Sequence, residues 1–306
     1  MALLTEKDRG VFVISVTPFN DDGTLDLNSL DRVTDFYLEA GATGLTILGM
    51  MGEAPKLTPD ESKLVIQRVT ARSQGKPVVV GVSAPGLAGL AATAKEAMDS
   101  GAAGVMIAPP MTLRTDAQIL TYYRQACSFI GADVPVVLQD FPLATTVQIS
   151  DELLGRLIDE LPQIVMLKHE DFPGMRKLTQ VREQSAAADR RRISILVGNG
   201  GLFLPQEMLR GADGAMTGFA YPEMLVQVCQ LFDAGKPEEA EDLFDIYLPL
   251  LRHEFQYGIG LALRKETLRR RGAIRSAYVR RPGPVLDATD HAELGRLIGR
   301  LEAALG

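Results

Sequence analysis

Eight short β-branched runs, separated by longer amphipathic segments, constrain the fold of this chain more than any other feature. Most of them begin about 30 residues apart, which leaves room for one strand, one crossover helix and two short loops. The runs are VFVISV from Val11, GLTIL from Gly44, PVVVG from Pro77, GVMIA from Gly104, PVVLQ from Pro135, IVMLK from Ile164, ISILVG from Ile193 and GAMTG from Gly214. This alternation predicts parallel strands connected by helices.

Eight consecutive βα units favour a closed (β/α)8 TIM barrel, because an open doubly wound sheet usually has fewer strands and begins with a glycine fingerprint. No GxGxxG or GxxxxGK[ST] motif follows the first run. The sequence after Pro222 has only helical patterns, one of them unbroken from Pro237 to Gly272. We therefore expect an α/β protein with a barrel over residues 1–222, and C-terminal helices over 223–306 that complete the barrel and form a helical extension.

Composition excludes several classes of function. The formal net charge of -7 argues against a surface that neutralises phosphates, so we expect no nucleic-acid partner. Cys127 and Cys229 lack the spacing of a disulfide framework or a zinc site, which suits a reducing cytoplasm. No apolar run approaches the roughly 18 residues of a membrane span. We expect a cytoplasmic protein that does not associate with membranes.

Lys168 is the strongest candidate for a catalytic residue. The chemistry of a barrel lies at the C-terminal ends of its strands, and this lysine ends the apolar run from Ile164. The period of two predicts that Ile164, Met166 and Lys168 share one face. Inside an apolar barrel the amine would lose hydration of its charged form, which lowers its pKa and makes it nucleophilic. A lysine that only extends its ammonium into solvent at the strand end remains the alternative.

Glu170 falls on the face of Lys168 if the strand continues, and there it could move protons during a reaction. A structural cap at the strand end is the alternative role for Glu170. His169 points the other way and is expected to be a packing residue. A metal is not expected, because His169, Glu170 and Asp171 are contiguous and do not converge on one point, and only two further histidines exist.

Further substrate contacts are predicted at other strand ends. Gln139 shares a face with Val137, whereas Asp140 has the opposite parity and could instead cap the loop. After the second run, the backbone N–H groups of a glycine-flanked turn could bind a carboxylate, although a tight loop with two buried methionines is the alternative. The complete set of predicted substrate contacts is Gly49, Met50, Met51, Asp140, Gly198, Met216 and Thr217.

These motifs in this order resemble the dihydrodipicolinate synthase and N-acetylneuraminate lyase superfamily, whose members form a Schiff base within a barrel. The resemblance covers almost the whole chain. The segment 16–19 looks like the opening strand and turn of the family, 49–53 occupies the place of its G-[ST]-T-G-E loop, and Lys168 falls on its Schiff-base lysine. The resemblance implies a class I lyase without a cofactor and a homo-oligomer, either a dimer or a tetramer.

Several positions depart from the family pattern. Met50 and Met51 replace the hydroxyl residues of the glycine-rich loop, and Gln139 stands where the family has the tyrosine of its Y-N-x-P motif. Met111 takes the place of a second tyrosine, and Ala144 or a neighbour that of an arginine. These departures weigh against the synthase reaction itself.

The sugar-acid branch, represented by 2-keto-3-deoxy-L-arabinonate dehydratase, is more similar. Gln139-Asp140-Phe141-Pro142 resembles its Q-D-x-P motif, 168–170 its K-x-E, and 214–218 its G-A-M-T-G. The resemblance implies that Lys168 attacks the C2 ketone of pyruvate or a 2-keto-3-deoxy acid, with Glu170 as acid/base. Gln139 would orient the substrate, and the amides of Met50 and Met51 would hold its carboxylate.

Four functions therefore stay open at this point. The first is dehydration or aldol cleavage of a 2-keto acid through an imine. The second is the genuine synthase reaction of lysine biosynthesis. The third is a metal-dependent aldolase, and the fourth is a non-catalytic barrel that binds a keto acid.

Overall fold

The computed structural model describes residues 2–187 and 190–306 and contains a closed barrel of eight parallel strands in sequential order. The predicted TIM barrel is confirmed. The strands are β1 (Gly10–Ile14), β2 (Gly44–Ile47), β3 (Val78–Gly81), β4 (Gly104–Ile107), β5 (Val136–Asp140), β6 (Ile164–His169), β7 (Ser194–Val197) and β8 (Gly214–Ala215).

Two apolar layers separate along each strand because side chains alternate between the two faces. Phe12, Val79 and Met106 pack inside the barrel. Val13 and Val80, each next to one of these residues, pack outward against the helices. Burial on both faces explains why the strands are almost continuously apolar.

Helices cover the outside of the barrel and begin at well-defined caps. In α2, Thr58 and Glu61 form a capping box, which satisfies two backbone N–H groups at the start of the helix. The helices up to the eighth strand are α1 (Leu27–Glu39), α2 (Pro59–Arg72), α3 (Leu87–Asp99), α4 (Asp116–Ile130), α5 (Pro142–Thr145), α6 (Asp151–Glu160), α7 (Met175–Ala187) and α8 (Leu204–Leu209).

Strand β6 contains a bulge that corrects one prediction. Val136 of β5 pairs with Ile164, but Val137 pairs with Met166, so Val165 is an extra residue in β6. Val165 and Met166 consequently both pack inside the barrel. Ile164 packs outward, so the prediction that it shares a face with Met166 and Lys168 is wrong.

The C-terminal part consists of α9 (Pro222–Asp233), α10 (Pro237–Glu254), α11 (Gly260–Arg270) and α12 (Ala288–Leu305). The unbroken helix predicted from Pro237 to Gly272 is wrong, because residues 255–259 form a corner between α10 and α11. Gly258 there has a φ of +87°, and a Cβ at Gly260 would lie 2.3 Å from the Glu254 carbonyl oxygen. In the described part of the chain, no helix is both long and apolar enough to cross a membrane.

Candidate active site

A cavity of about 290 Å³ opens where the barrel strands end. Its walls come from strand ends, from the loop after β2 and from the α10–α11 corner. The residues that line it include Gly49, Met50, Met51, Gln139, Lys168, Glu170, Asn199, Thr217, Glu254, Gln256, Tyr257 and Arg264. A groove of about 730 Å³ beside α11 and α12 is larger, but no strand end reaches it and its Glu266 already pairs with Arg269 and Arg270. The smaller cavity is therefore the candidate site.

Lys168, Glu170 and Gln139 form one connected group in this cavity. Lys168 Nζ lies 2.8 Å from Glu170 Oε2, and both side chains are less than a tenth exposed. Gln139 Nε2 donates to the same oxygen at 2.7 Å, since Gln139 and Lys168 are direct partners in the β5–β6 ladder. The three residues predicted as the catalytic group are thus in contact with one another. A carboxylate in this position can take the proton that an ammonium must lose before it attacks a carbonyl.

Gly198 supports this group rather than lining the cavity. Its position packs directly against the side chain of Glu170, because a Cβ there would lie 2.1 Å from Glu170 Cγ. The backbone N–H of Asn199 points at Glu170 Oε1, 3.5 Å away. The expected substrate contact at Gly198 is replaced by a steric role, in which the missing side chain makes space for Glu170.

The loop after β2 lines the cavity and contains two backbone N–H groups without partners in the described residues. Met50 is 45% exposed and Met51 is half-buried, so the alternative of two buried methionines does not hold for Met50. The N–H groups of Met50 and Met51 make no hydrogen bond with residues 2–187 or 190–306. Two free amides on the cavity wall can bind a carboxylate, as the sequence suggested.

Glu53 anchors the end of that loop. It adopts a left-handed conformation with a φ of +53°. Its carboxylate accepts from Lys265 Nζ at 2.5 Å and from Lys56 Nζ at 2.9 Å. Thr17 Oγ1 also donates to the Gly52 carbonyl at 2.7 Å. This buried network fixes the orientation of the amides that precede it.

Two other predicted contacts lie away from the cavity. Met216 directly follows β8 and is fully buried, because its side chain packs in the apolar layer inside the barrel. Asp140 faces outward, as its parity indicated, and its Oδ2 accepts from Lys177 Nζ at 2.6 Å. Both are structural residues here. Thr217 does line the cavity.

His169 lies on the outer face beside Asp140, and its predicted role as a packing residue agrees with its complete burial. Its Nε2 lies 2.9 Å from the Gly174 carbonyl oxygen, and its Nδ1 has no partner among the residues that the structure describes. Burial lowers the pKa of His169 to about 4. Within the described ranges, no three His, Cys, Asp or Glu side chains are grouped so that they could hold a metal ion.

The α10–α11 corner supplies residues that the sequence did not reveal as part of the site. Glu254, Gln256, Tyr257 and Arg264 all line the cavity. Arg264 Nε donates to Glu254 Oε2 at 3.1 Å, and both side chains are buried. The only signal in the sequence is the polar, glycine-containing stretch HEFQYGIG within an otherwise regular helical pattern.

Comparison with known proteins gives consistent results. The model of the dihydrodipicolinate synthetase family matches residues 7–300. The chain is 31% identical over 303 residues to L-2-keto-3-deoxyarabonate dehydratase of Azospirillum brasilense, covering 97% of this chain and 96% of the relative. It is 30% identical over 249 residues to 4-hydroxy-tetrahydrodipicolinate synthase of Thiobacillus denitrificans, covering 79% and 80%.

A solved structure is more similar in sequence. The crystal structure described as dihydrodipicolinate synthase from Rhodopseudomonas palustris has 50% sequence identity and a TM-score of 0.96. The match covers 98% of this chain and all of the other chain.

Proposed function

The chain belongs to the dihydrodipicolinate synthetase family and is a lyase of the class I aldolase type; from that premise we propose that it dehydrates a 2-keto-3-deoxy sugar acid through an imine on Lys168. The observation that carries the proposal is the buried amine of Lys168 at the cavity end of β6, with the Glu170 carboxylate 2.8 Å away. The likeness to a keto-deoxy sugar acid dehydratase along nearly the full chain supports this substrate class.

The first steps join the substrate to the enzyme. Glu170 accepts a proton from Lys168, and the neutral amine attacks the C2 carbonyl carbon of the substrate. The carbonyl oxygen takes up the proton held by Glu170 and leaves as water, which gives a protonated imine that withdraws electrons from C3 and restores the Glu170 carboxylate. The amides of Met50 and Met51 hold the C1 carboxylate during these steps.

The elimination follows from the acidity of C3. Glu170 removes a proton from C3, and the bonding electrons form an enamine with C2. The enamine then expels the C4 hydroxyl, which takes a proton from Glu170 and leaves as water. Addition of water to the remaining imine releases the product and regenerates Lys168. Gln139, bonded to Glu170 at 2.7 Å, keeps this carboxylate directed at the substrate.

Reduction of the imine tests the mechanism directly. With pyruvate present, borohydride should add the mass of pyruvic acid less one oxygen atom to the wild-type chain; with a 2-keto-3-deoxy pentonate it should add that acid less one oxygen atom, or a mass lower by one further water. Peptide mapping should place this mass on Lys168. Lys168→Arg should form no adduct and should lose at least about 10⁴-fold in kcat, because a guanidinium stays protonated and cannot attack. An adduct on another lysine, or none with any keto acid, contradicts the proposal.

A second candidate is the synthase activity for which many relatives are named, and the 50% identity to a structure so described favours it. Against it stand Met111, and Ala144 or a neighbour, which replace residues that the resemblance assigns to that reaction. The two candidates share the imine, so turnover of a keto-deoxy acid in the absence of a second substrate distinguishes them.

The homo-oligomer and the cytoplasmic location stay proposals. Met111 and Leu143 expose apolar side chains near the mouth of the barrel, which suits contact with a second copy. Cys127 and Cys229 are buried free thiols, which suits a reducing compartment.

A further inference from the structure

Arg264 is a buried cation in the cavity wall that the mechanism above does not use. Its side chain is 8% exposed. Its Nε donates to Glu254 Oε2 at 3.1 Å, and its Nη1 lies 2.6 Å from the sulfur of Met51. The guanidinium therefore lies directly against the loop that carries the two free amides.

The hydrogen-bonding capacity of Arg264 is only partly used by the protein. A guanidinium has five N–H donors, and a thioether sulfur is a weak acceptor. Nη2 makes no hydrogen bond with the described residues. Glu254 Oε2 also accepts from the N–H of Ala220 at 3.2 Å, and Glu254 Oε1 has no partner among the described residues. A buried charge with spare donors at a cavity wall is suited to an anionic ligand.

The donors of Arg264 and of the loop after β2 lie where the C1 carboxylate of a 2-keto acid bound to Lys168 is expected. In an eight-stranded barrel β2 lies opposite β6, so the loop with Met50 and Met51 faces Lys168 across the mouth. A keto acid whose C2 is bonded to Lys168 can direct its C1 carboxylate toward that loop. In that orientation the two backbone amides and the Arg264 guanidinium can donate to the two oxygens of one carboxylate.

We propose that Arg264 binds the C1 carboxylate of the 2-keto acid together with the N–H groups of Met50 and Met51, and so determines the preference for an acid over a neutral ketone. The inference rests on the imine mechanism, which places C2 at Lys168. It also accounts for the methionines at positions 50 and 51. Their side chains offer no hydroxyl donor, and Arg264 supplies the missing donors from α11.

Trapping with a charged and a neutral ketone tests this role. Borohydride adducts are measured against the concentration of pyruvate and of pyruvamide, which lacks the carboxylate charge, for wild type, Arg264→Met and Arg264→Lys. Arg264→Met should raise the half-saturating pyruvate concentration roughly 10- to 100-fold, as expected for a charge-assisted hydrogen bond. The value for pyruvamide should stay within about twofold. Arg264→Lys should recover part of the loss, and the adduct should remain on Lys168.

Arg182→Lys is the matched control, because Arg182 is also largely buried and paired, but with Asp213 and away from the cavity. It should leave both half-saturating concentrations unchanged. Equal shifts for pyruvate and pyruvamide in Arg264→Met would show a structural role and overturn the proposal. If Arg264→Met raises the half-saturating concentration of a 2-keto-3-deoxy pentonate but not that of pyruvate, Arg264 contacts the hydroxylated end of the substrate, and the proposal is also overturned.

If Arg264→Met does not fold, Glu254→Gln decides the question. It keeps the shape of the pair but removes the negative charge that competes with the substrate for Arg264. Half-saturating pyruvate should fall severalfold while pyruvamide is unaffected, and an unchanged or higher pyruvate value contradicts the proposal. Absence of an adduct in the wild type would defeat the imine mechanism itself, and that outcome is separate from all of these.

Discussion

The inner and outer faces of the barrel, at the C-terminal ends of β5 and β6, carry similar residues with different properties. We call Gln139, Lys168 and Glu170 the inner cluster, and Asp140, His169 and Lys177 the outer cluster. Each contains a buried lysine–carboxylate pair, at 2.8 Å in the inner cluster and 2.6 Å in the outer one. Only the inner cluster borders the cavity.

The difference lies in how many donors each ammonium has already used. Lys177 Nζ donates to Asp140, to the Ile149 carbonyl and to Asp171, which uses all three of its protons. Lys168 has one ionic partner and an open cavity beside it. A buried lysine pair is therefore structural or reactive according to its spare capacity and its access to substrate, and burial alone does not distinguish the two.

The largest expected effect that separates the clusters comes from Glu170→Gln. Loss of the proton acceptor should lower kcat by roughly 10²- to 10⁴-fold, the usual contribution of a general acid/base. Borohydride trapping on Lys168 at high keto acid concentration should persist, because imine formation can use water as a slow proton carrier. Steady-state kinetics and mass spectrometry measure the two properties. An unchanged kcat would mean that the inner carboxylate is only a cap.

Lys177→Met should affect stability instead. It leaves Asp140 buried without its partner, which typically costs about 3–5 kcal/mol in the free energy of unfolding. Urea unfolding followed by circular dichroism measures this loss. The double variant Lys177→Met with Asp140→Leu is the control and should recover most of it, since the fully buried carboxylate of Asp140 is then gone and only the partly exposed Asp171 lacks its partner. A loss of trapping at Lys168 in folded Lys177→Met would contradict the separation of the clusters.

His169 should make the outer cluster sensitive to acid. Because burial holds the pKa of His169 at about 4, below its usual value near 6.5, the unfolded chain binds more protons between these values. The stability that the chain gains from keeping His169 neutral is therefore fully present above pH 6.5, and it is lost as the pH falls toward 4. Linkage gives a loss of about 2 kcal/mol at pH 5.

His169→Gln tests this contribution. The difference in free energy of unfolding between pH 7 and pH 5, measured in urea, should be about 2 kcal/mol smaller in the variant than in the wild type. The same pH difference in both proteins would mean that His169 accepts a proton in the folded state.

Much of the barrel could be predicted because each strand is a short apolar run between helices. The inner cluster could also be predicted, since a lysine, a glutamate and a glutamine at strand ends of matching parity are unusual among apolar neighbours. The position of Ile164 could not be predicted, because Val165 and Met166 are both apolar and nothing in their order marks a bulge.

The contribution of the α10–α11 corner was hidden for a different reason. Arg264 lies within a helical pattern rich in basic residues, and a sequence does not show which of them turns toward a distant loop. The prediction of Asp140 as a substrate contact fails because its partner Lys177, 37 residues away on a helix, lies on the outer face to which its parity points. Contacts between separate elements of the chain determine these roles.

The extra residue in β6 also determines which changes in length the strand can tolerate. A regular strand that began with Ile164 facing outward would turn Lys168 toward the helices and put His169 in the mouth of the barrel. Deletion of Val165 would remove the irregularity and leave the amine facing inward. Deletion of Leu167 would break the alternation directly before Lys168 and turn its amine outward. Deletions at two sites only two residues apart therefore have opposite consequences for catalysis.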